Sequence, residues 1–145
     1  MENVYFSPGP DCLTAIIDRI KKAKQSILLC VYTISDDRIS ENLVMQHRKG
    51  VDVKIITDNN KRFDEGSDID FLVKSGIPVK IDTSEAHMHN KFAVFDDKIS
   101  ITGSYNWTRS AEKYNNENIL ETDSKKIASA FITEFNKLWN LSQRI

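Results

Sequence analysis

Apolar residues recur along this chain with two different spacings, one typical of helices and the other typical of strands. Four large apolar residues from Leu13 to Ile20 repeat at helical spacing, and the last segment shows the same pattern between Ile127 and Trp139. Between such stretches lie near-continuous apolar runs, rich in β-branched residues, that are typical of strands buried on both faces. The predicted strands span 4–6, 26–33, 51–57, 78–81, 89–95, 99–102 and 118–122, and the predicted helices begin near Pro10, Asp36 and Asp123, with a shorter one ending near Gly76.

Predicted helices alternate with predicted buried strands, and this order favours right-handed crossovers between parallel strands. Asp96, Asp97 and Lys98 form a polar break between two strand segments and predict a tight hairpin turn, which adds antiparallel pairing. We therefore expect an α/β fold with a mixed β-sheet sandwiched between helices. The chain has 145 residues, close to the size of one average domain, so we expect a single domain over 1–145.

Composition limits which partners the chain can attract. Lys and Arg total 20 and Asp and Glu total 21, for a net charge of −1, so a polyanion would have to bind a local basic patch. The longest apolar run, 27–32, is far shorter than the ~20 residues that cross a bilayer, and the N-terminal segment lacks the basic start and apolar core of a signal peptide. The sequence as written therefore predicts a cytoplasmic protein without stable membrane association. Its two cysteines, Cys12 and Cys30, lie in apolar stretches and are expected to be buried thiols.

Polar side chains interrupt the strands between His89 and Glu117 at positions that packing does not require. His89 and Lys91 are two residues apart, so they share one face of a predicted strand, and we expect them at its end, opening to a cleft. Ser104 and Asn106 follow the returning strand of the hairpin and can bring a hydroxyl and an amide to the same cleft, and Glu117 adds a carboxylate. A neutral imidazole can attack phosphorus while an ammonium and an amide donate hydrogen bonds to the non-bridging oxygens, whose charge grows in the transition state. The set therefore suits chemistry at an anionic phosphodiester.

The spacing of these residues resembles the signature of a known family. The segment from His89 to Asn106 matches H-x-K-x4-D-x6-G-S-x-N, the HKD motif of the phospholipase D superfamily, and Asp96 is its acidic member. The match continues into Trp107-Thr108 and 116–118, and the chain looks like the small bacterial endonucleases, often called Nuc, that carry one such motif. The resemblance implies a phospholipase D-like fold with one HKD motif per chain.

The same resemblance implies a metal-independent phosphodiesterase that uses no cofactor. Longer relatives carry two motifs, whereas this chain carries one, so the resemblance implies a homodimer in which two half-sites meet across a two-fold axis. One His89 would form a phosphohistidine, while His89 of the partner subunit protonates the leaving oxygen. The resemblance also implies that Glu117 hydrogen-bonds His89, that Ser104 helps to hold the phosphate oxygens, and that Lys91 and Asn106 from both copies line the joint site.

Asp96 differs from the other motif residues, because its position in the strand has the opposite parity to His89 and Lys91. It also stands at the predicted hairpin turn, where an Asp side chain readily bonds to backbone groups. We therefore expect a structural or orienting role for Asp96 within the catalytic motif.

Residues outside the core of the motif are candidates for holding the rest of the substrate. Lys61, Arg62 and Arg109 are candidate contacts for a phosphate backbone. Trp107 is a candidate for stacking bases or for packing the cleft wall, and a place in the core is the equal alternative. His87 falls outside the motif, and we expect it to be a loop histidine or at most a substrate contact.

The main hypothesis is a dimeric endonuclease that hydrolyses phosphodiester bonds in DNA or RNA without a metal. Four acidic residues between 64 and 70 are assigned to a solvated loop and helix start, so no metal site is expected. A phospholipase D or cardiolipin-type hydrolase is the alternative, because the motif recognises a phosphodiester rather than its substituents. A module that binds nucleic acid without cleaving it is the third hypothesis.

Overall fold

The computed structural model describes residues 1–58 and 64–145, which form helices and strands in the alternating order that the periodicity predicts. The strands are β1 (Glu2–Ser7), β2 (Ser26–Val31), β3 (Asp52–Asp58), β4 (Val79–Asp82), β5 (Lys91–Phe95), β6 (Ile99–Gly103), β7 (Glu117–Thr122) and β8 (Gln143–Arg144). The helices are α1 (Asp11–Lys22), α2 (Asp37–Arg48), α3 (Ile69–Lys74), α4 (Arg109–Lys113) and α5 (Lys125–Leu141).

Side chains that cap free backbone N–H groups explain where two of the helices begin. Asp36 accepts a hydrogen bond from the N–H of Arg38 at the start of α2, and Ser124 accepts one from the N–H of Ile127 at the start of α5. These caps confirm the helix starts that the sequence predicts near Asp36 and Asp123.

All eight strands of the described chain join one sheet, in the order β1-β7-β6-β5-β2-β3-β4-β8. β2, β3 and β4 run parallel, and the other neighbouring pairs are antiparallel. β5 and β6 form the predicted hairpin, which Asp96 and Asp97 close with φ angles of 54° and 57°. Positive φ at both central residues is the requirement of a type I′ turn, whose twist matches that of the strands. The expected α/β fold with a mixed sheet is therefore confirmed.

Helices cover both faces of this sheet. α1 and α2 pack on one face around fully buried residues such as Ile16, which belong to the larger apolar core. α5 packs on the other face through Phe131 and Phe135, which contact a smaller cluster that includes Phe92. The predicted apolar stripe of α5 makes this contact, except that Ile127 is 36% exposed.

The structure tests two expectations from composition, the burial of the cysteines and the lack of a membrane-spanning segment. Cys12 and Cys30 are free and buried, as predicted, and burial raises the pKa of Cys12 to about 11 and that of Cys30 to about 12. Across 1–58 and 64–145, no helix combines the length and the apolar character that a bilayer span needs.

The start of β5 differs from the prediction. β5 begins at Lys91 rather than at His89. The carbonyl oxygen of His89 accepts a hydrogen bond from the Nζ atom of Lys91, and the N–H of Met88 bonds to the side chain of Asp58. His89 therefore precedes the strand and does not share its pleated face with Lys91. β8, which no pattern predicted, has two residues that pair with β4, and so short a strand shows no periodicity.

The strand directions bring many strand ends to one edge of the sheet, which we call the site edge. β1, β2, β3, β4 and β6 end there, and β5 and β7 begin there. The opposite edge, which we call the hairpin edge, holds the turn at 96–98. Residues that are far apart in the chain therefore meet at the site edge.

Candidate active site

His89 and Lys91 lie in contact at the site edge. The Nζ atom of Lys91 is 3.0 Å from Nδ1 of His89, and it donates a second hydrogen bond, also of 3.0 Å, to the carbonyl oxygen of His89. An ammonium group has donors only, so Nδ1 is the acceptor in this contact and the neutral ring carries its proton on Nε2. Burial lowers the pKa of Lys91, and the negative charge of Glu117 opposes that shift. A cation therefore lies directly against the imidazole.

The aromatic ring of Tyr32 lies beside this pair. Its centroid is 4.5 Å from the ring centroid of His89 and 5.6 Å from that of His87, and the Nζ atom of Lys91 is 5.6 Å from it. The sequence pattern did not point to Tyr32, although its position directly after the buried strand β2 is a signal that could have found it.

Asp58 ends β3 and is fully buried. Its Oδ2 atom accepts a hydrogen bond of 2.8 Å from the N–H of Met88 and lies 3.5 Å from Nδ1 of His87. The sequence pattern did not point to Asp58 either, although a carboxylate at the end of a long apolar run is a signal for such a position. Asp58 thus holds the segment that leads into His89.

Ser104, Asn106 and Glu117 lie at or next to the strand ends of the site edge. The Oγ atom of Ser104 accepts a hydrogen bond of 3.1 Å from the N–H of Asn118. The preceding Gly103 has to be glycine, because a Cβ atom there would lie 2.0 Å from the carbonyl oxygen of Asn118. The Oδ1 atom of Asn106 is buried and has no hydrogen-bond partner among the described residues. The structure therefore brings five of the six predicted catalytic residues to one edge.

The expected hydrogen bond between Glu117 and His89 is not formed in the described chain. Nδ1 of His89 faces Lys91 instead, and Glu117 acts on Lys91 through its charge. A carboxylate contact at Nδ1 therefore requires the ammonium group to move away.

Asp96, the sixth residue, lies at the hairpin edge. β5 separates it from the site edge by about 16 Å, at the usual rise of a strand. Its carboxylate accepts hydrogen bonds from the N–H groups of Lys24, Gln25 and Ser26, at 3.1, 2.7 and 3.1 Å. The pKa of Asp96 is lowered overall. Burial alone would raise it, but the three backbone donors and the charge of nearby Lys98 together outweigh burial. Asp96 fastens the hairpin turn to the segment before β2.

The four residues predicted to bind substrate have different positions. Trp107 is 1% exposed within the larger core, so its prediction as a substrate-binding residue is wrong. The N–H of Trp107 donates to the carbonyl of Thr33, and the carbonyl of Trp107 accepts the N–H groups of Ser35 and Asp36. These backbone hydrogen bonds hold Trp107 against the segment before α2. Arg109 is exposed at the start of α4, and its contact with substrate stays a prediction. Lys61 and Arg62 lie outside the described residues.

A groove of about 750 Å³ opens beside His89. Its lining includes His87 on the segment before β5, Asp82 at the end of β4, and Leu138 and Leu141 at the end of α5. No Lys or Arg is among the described residues that line it. The groove therefore offers imidazole and apolar surface next to His89 and Lys91, without a Lys or Arg side chain in its described lining.

The site edge combines an imidazole with ammonium, hydroxyl and amide groups. Such a set can bind phosphate oxygens and attack phosphorus. Within residues 1–58 and 64–145, no group of three or more His, Cys, Asp or Glu side chains is arranged to hold a metal ion.

A mixed sheet whose edge presents a histidine against a lysine, at the spacing of the HKD motif, defines the class of phospholipase D-like proteins. A family model described as cardiolipin synthase, PLD-like domain, matches residues 16–139. The chain belongs to the phospholipase D superfamily of hydrolases.

Individual relatives show how far the likeness extends. The mitochondrial cardiolipin hydrolase of Chlamydomonas reinhardtii is 40% identical over 140 residues, which are 97% of this chain and 63% of that protein. The mitochondrial cardiolipin hydrolase of Xenopus laevis is 44% identical over 117 residues, which are 81% of this chain and 56% of that protein. The chain thus spans less than two thirds of the length of these curated relatives.

A solved structure has nearly the same fold. The phospholipase D family member Nuc from Salmonella typhimurium superposes with a TM-score of 0.94 at 29% identity, and the match covers 100% of this chain and 97% of Nuc. The strands and helices of the site edge therefore belong to a framework that Nuc shares over nearly its whole length.

Proposed function

We propose that the chain is a metal-independent phosphodiesterase that cleaves DNA or RNA through a phosphohistidine intermediate, in a site completed by a second copy of the chain. The observation that carries the proposal is the contact between His89 and Lys91 at the site edge. The likeness to Nuc, which covers all of this chain and 97% of Nuc, supports a nuclease.

In the first step, a ring nitrogen of His89 attacks phosphorus, a P–N bond forms and the bond to the leaving oxygen breaks. The structure has Lys91 donating to Nδ1, so the ammonium occupies the lone pair that attack needs. A phosphate oxygen carries negative charge and is the stronger acceptor, so bound substrate draws Nζ onto itself. This movement frees the lone pair and leaves the cation where negative charge grows in the transition state.

The leaving oxygen needs a proton, and water must later release the phosphoryl group. One HKD motif supplies a single imidazole for both tasks, so His89 of the partner subunit takes the second role in a homodimer with two-fold symmetry. That ring starts as an imidazolium, gives its proton to the leaving oxygen, and then, as the neutral imidazole, takes a proton from water. The hydroxide attacks phosphorus, the P–N bond breaks and His89 is restored.

The test is cleavage of single- and double-stranded DNA and RNA in excess chelator, combined with isolation of the phosphorylated protein. Wild-type protein should cleave and should carry a phosphoryl group that acid removes and base does not. His89→Ala should do neither, while His47→Ala, on α2, serves as the matched control. A strict requirement for Mg²⁺, or turnover by His89→Ala, would contradict the proposal, and a fully active monomer in sedimentation would contradict the shared site.

A second candidate function is hydrolysis of a lipid phosphodiester such as cardiolipin. Relatives named mitochondrial cardiolipin hydrolase favour it, and so does a groove beside His89 that includes Leu138 and Leu141 and has no Lys or Arg in its described lining. Both chemical steps are the same, because they involve only the phosphodiester. Cardiolipin-containing vesicles belong in the same panel: cleavage of lipid alone selects this candidate, and tight nucleic-acid binding without any turnover selects a binding module.

A further inference from the structure

We propose that Asp58, His87 and Tyr32 form a positioning unit that holds the imidazole of His89 in its attacking orientation. The proposal rests on the proposed role of His89 as the nucleophile. None of the three belongs to the HKD motif, and they come from separate parts of the chain: Tyr32 follows β2, Asp58 ends β3 and His87 precedes β5.

The unit is needed because His89 lies outside regular structure. β5 begins two residues later, so His89 lies outside the hydrogen-bonded strand, and its side chain depends on other contacts for its orientation. An imidazole that attacks phosphorus has to align its lone pair with the bond that breaks, and a misplacement of about 1 Å can lower the rate on the order of 10²-fold.

Asp58 is the anchor of the unit. It is fully buried, and its Oδ2 atom accepts the N–H of Met88 at 2.8 Å. Met88 is 4% exposed, and its Sδ atom lies 3.3 Å from the Sγ atom of Cys30. Both the main chain and the side chain of the residue before His89 are therefore held.

Tyr32 orients the imidazole itself. Its ring centroid is 4.5 Å from that of His89 with an interplanar angle of 45°, and Nζ of Lys91 is 5.6 Å from the same centroid. The N–H of Tyr32 donates to the carbonyl of Asn90, and its own carbonyl accepts the hydroxyl of Thr57. Tyr32 is therefore tied to both neighbouring segments, and one ring contacts both members of the reacting pair.

His87 connects the anchor to the ring. Its Nδ1 atom lies 3.5 Å from Oδ2 of Asp58, and its ring meets Tyr32 edge to face, with centroids 5.6 Å apart at 82°. The His87 side chain is 55% exposed, so burial in the core does not explain its place. The contacts therefore run without a gap from Asp58 through His87 and Tyr32 to His89.

The central test measures kcat and KM on bis(p-nitrophenyl) phosphate, a diester too small to contact distant parts of the protein. Tyr32→Leu removes the ring and should lower kcat by about 30- to 100-fold while KM changes less than about 2-fold. Tyr32→Phe keeps the ring and should retain most of the wild-type kcat. Phe71→Leu, which changes an exposed aromatic residue on α3, is the matched control.

The other two members are tested in parallel. Asp58→Asn keeps an oxygen for the N–H of Met88 but loses the charge that faces His87, so we expect kcat to fall by about 3- to 10-fold, and His87→Ala to lower it about 10-fold. Asp52→Asn, at the exposed other end of the same strand, is the control. Nitrogen NMR of the His89 ring should show one dominant tautomer in wild-type protein and an averaged signal in Tyr32→Leu.

Wild-type kcat together with an unchanged His89 ring signal in Tyr32→Leu would overturn the positioning unit. A loss in His87→Ala as large as that in His89→Ala would also overturn it, because proton transfer would then belong to His87 itself. Failure of the proposed function looks different, since either the wild-type protein would show no turnover or His89→Ala would remain active. Melting temperatures identify variants that do not fold, and if Tyr32→Leu is one of them, Asp58→Asn and His87→Ala decide the outcome.

Discussion

The site edge and the hairpin edge are joined by the same strand, β5, yet the motif residues at its two ends contact different kinds of groups. At the site edge, Lys91 donates to a ring nitrogen of His89. At the hairpin edge, Asp96 accepts three backbone N–H groups and has a positive φ that the turn requires. A side chain bound to another reactive side chain can be drawn away by a ligand, whereas one bound to backbone groups stabilises a turn. One motif thus joins two side chains that contact each other to a third side chain that holds the backbone of a turn.

Removing the imidazole should give the largest effect and the clearest separation of the two edges. His89→Ala should lower single-turnover cleavage on the order of 10⁴-fold or more, because the P–N bond of the proposed intermediate forms on this imidazole. Its melting temperature should stay within about 2 °C of wild type, because the exposed side chain lies outside the strand. A large loss of stability would show that His89 is architectural as well.

Removing the ammonium should be the next largest effect. Lys91→Ala should lower kcat by about 10²- to 10³-fold, because the charge on the phosphate oxygens loses its cation. Because burial lowers the pKa of Lys91, wild-type activity should fall as the lysine loses its proton at a pH below the ordinary lysine value of about 10.4. A pH–rate profile of both proteins checks this, with Lys98→Ala at the hairpin edge as control; an alkaline limb that persists in Lys91→Ala would assign that limb to another group.

Gly103→Ala tests a residue of the site edge whose importance is steric. The added Cβ would lie 2.0 Å from the carbonyl oxygen of Asn118, so the ends of β6 and β7 have to separate. We expect a loss of about 1–3 kcal/mol in the free energy of unfolding, and a kcat lowered about 10-fold as Ser104 shifts. Denaturant unfolding measures the effect on stability, and kinetics at low temperature measure the effect on kcat. Unchanged values of both would mean that the ends of β6 and β7 separate without loss of stability or activity.

Asp96 variants should have the smallest effect on activity. Asp96→Ala should lower the free energy of unfolding by about 1–3 kcal/mol, because backbone donors lose their acceptor. Asp96→Asn keeps one acceptor and tolerates the positive φ, so it should lose less, and both should keep wild-type kcat wherever they are folded. A lower kcat in folded Asp96→Asn would place Asp96 in the chemistry.

The acid dependence of Asp96 has a definite sign. Its folded pKa lies below the ordinary value of about 3.9, so the charged form stabilises the protein above that value, and this contribution is lost as the pH falls through the folded pKa. The stability difference between wild type and Asp96→Asn should therefore shrink in acid. Urea unfolding at several pH values below 5 checks it, and a difference that grows in acid would contradict the lowered pKa.

Local chemistry explains why parts of the fold and site could be predicted. Ser124 caps α5 and Asp96 with Asp97 closes the hairpin because each depends on residues within a few positions in the chain. The meeting of His89 and Lys91 was predicted correctly, but for a different geometric reason, since His89 precedes the strand. Trp107 was assigned wrongly to the substrate, because an aromatic ring in a motif fits a core as well as a cleft.

The sequence by itself determined the alternation of elements, the hairpin, the capped helix starts and the family, because periodicity, turn chemistry and motif spacing all act over short stretches of chain. Tertiary structure alone decided that Asp58 and Tyr32 stand beside His89. Those contacts depend on β2 lying between β5 and β3, and strand order follows from how the whole sheet packs between its helices. The same packing decided that Trp107 belongs to the core and that Asp96 lies about 16 Å from His89 and Lys91.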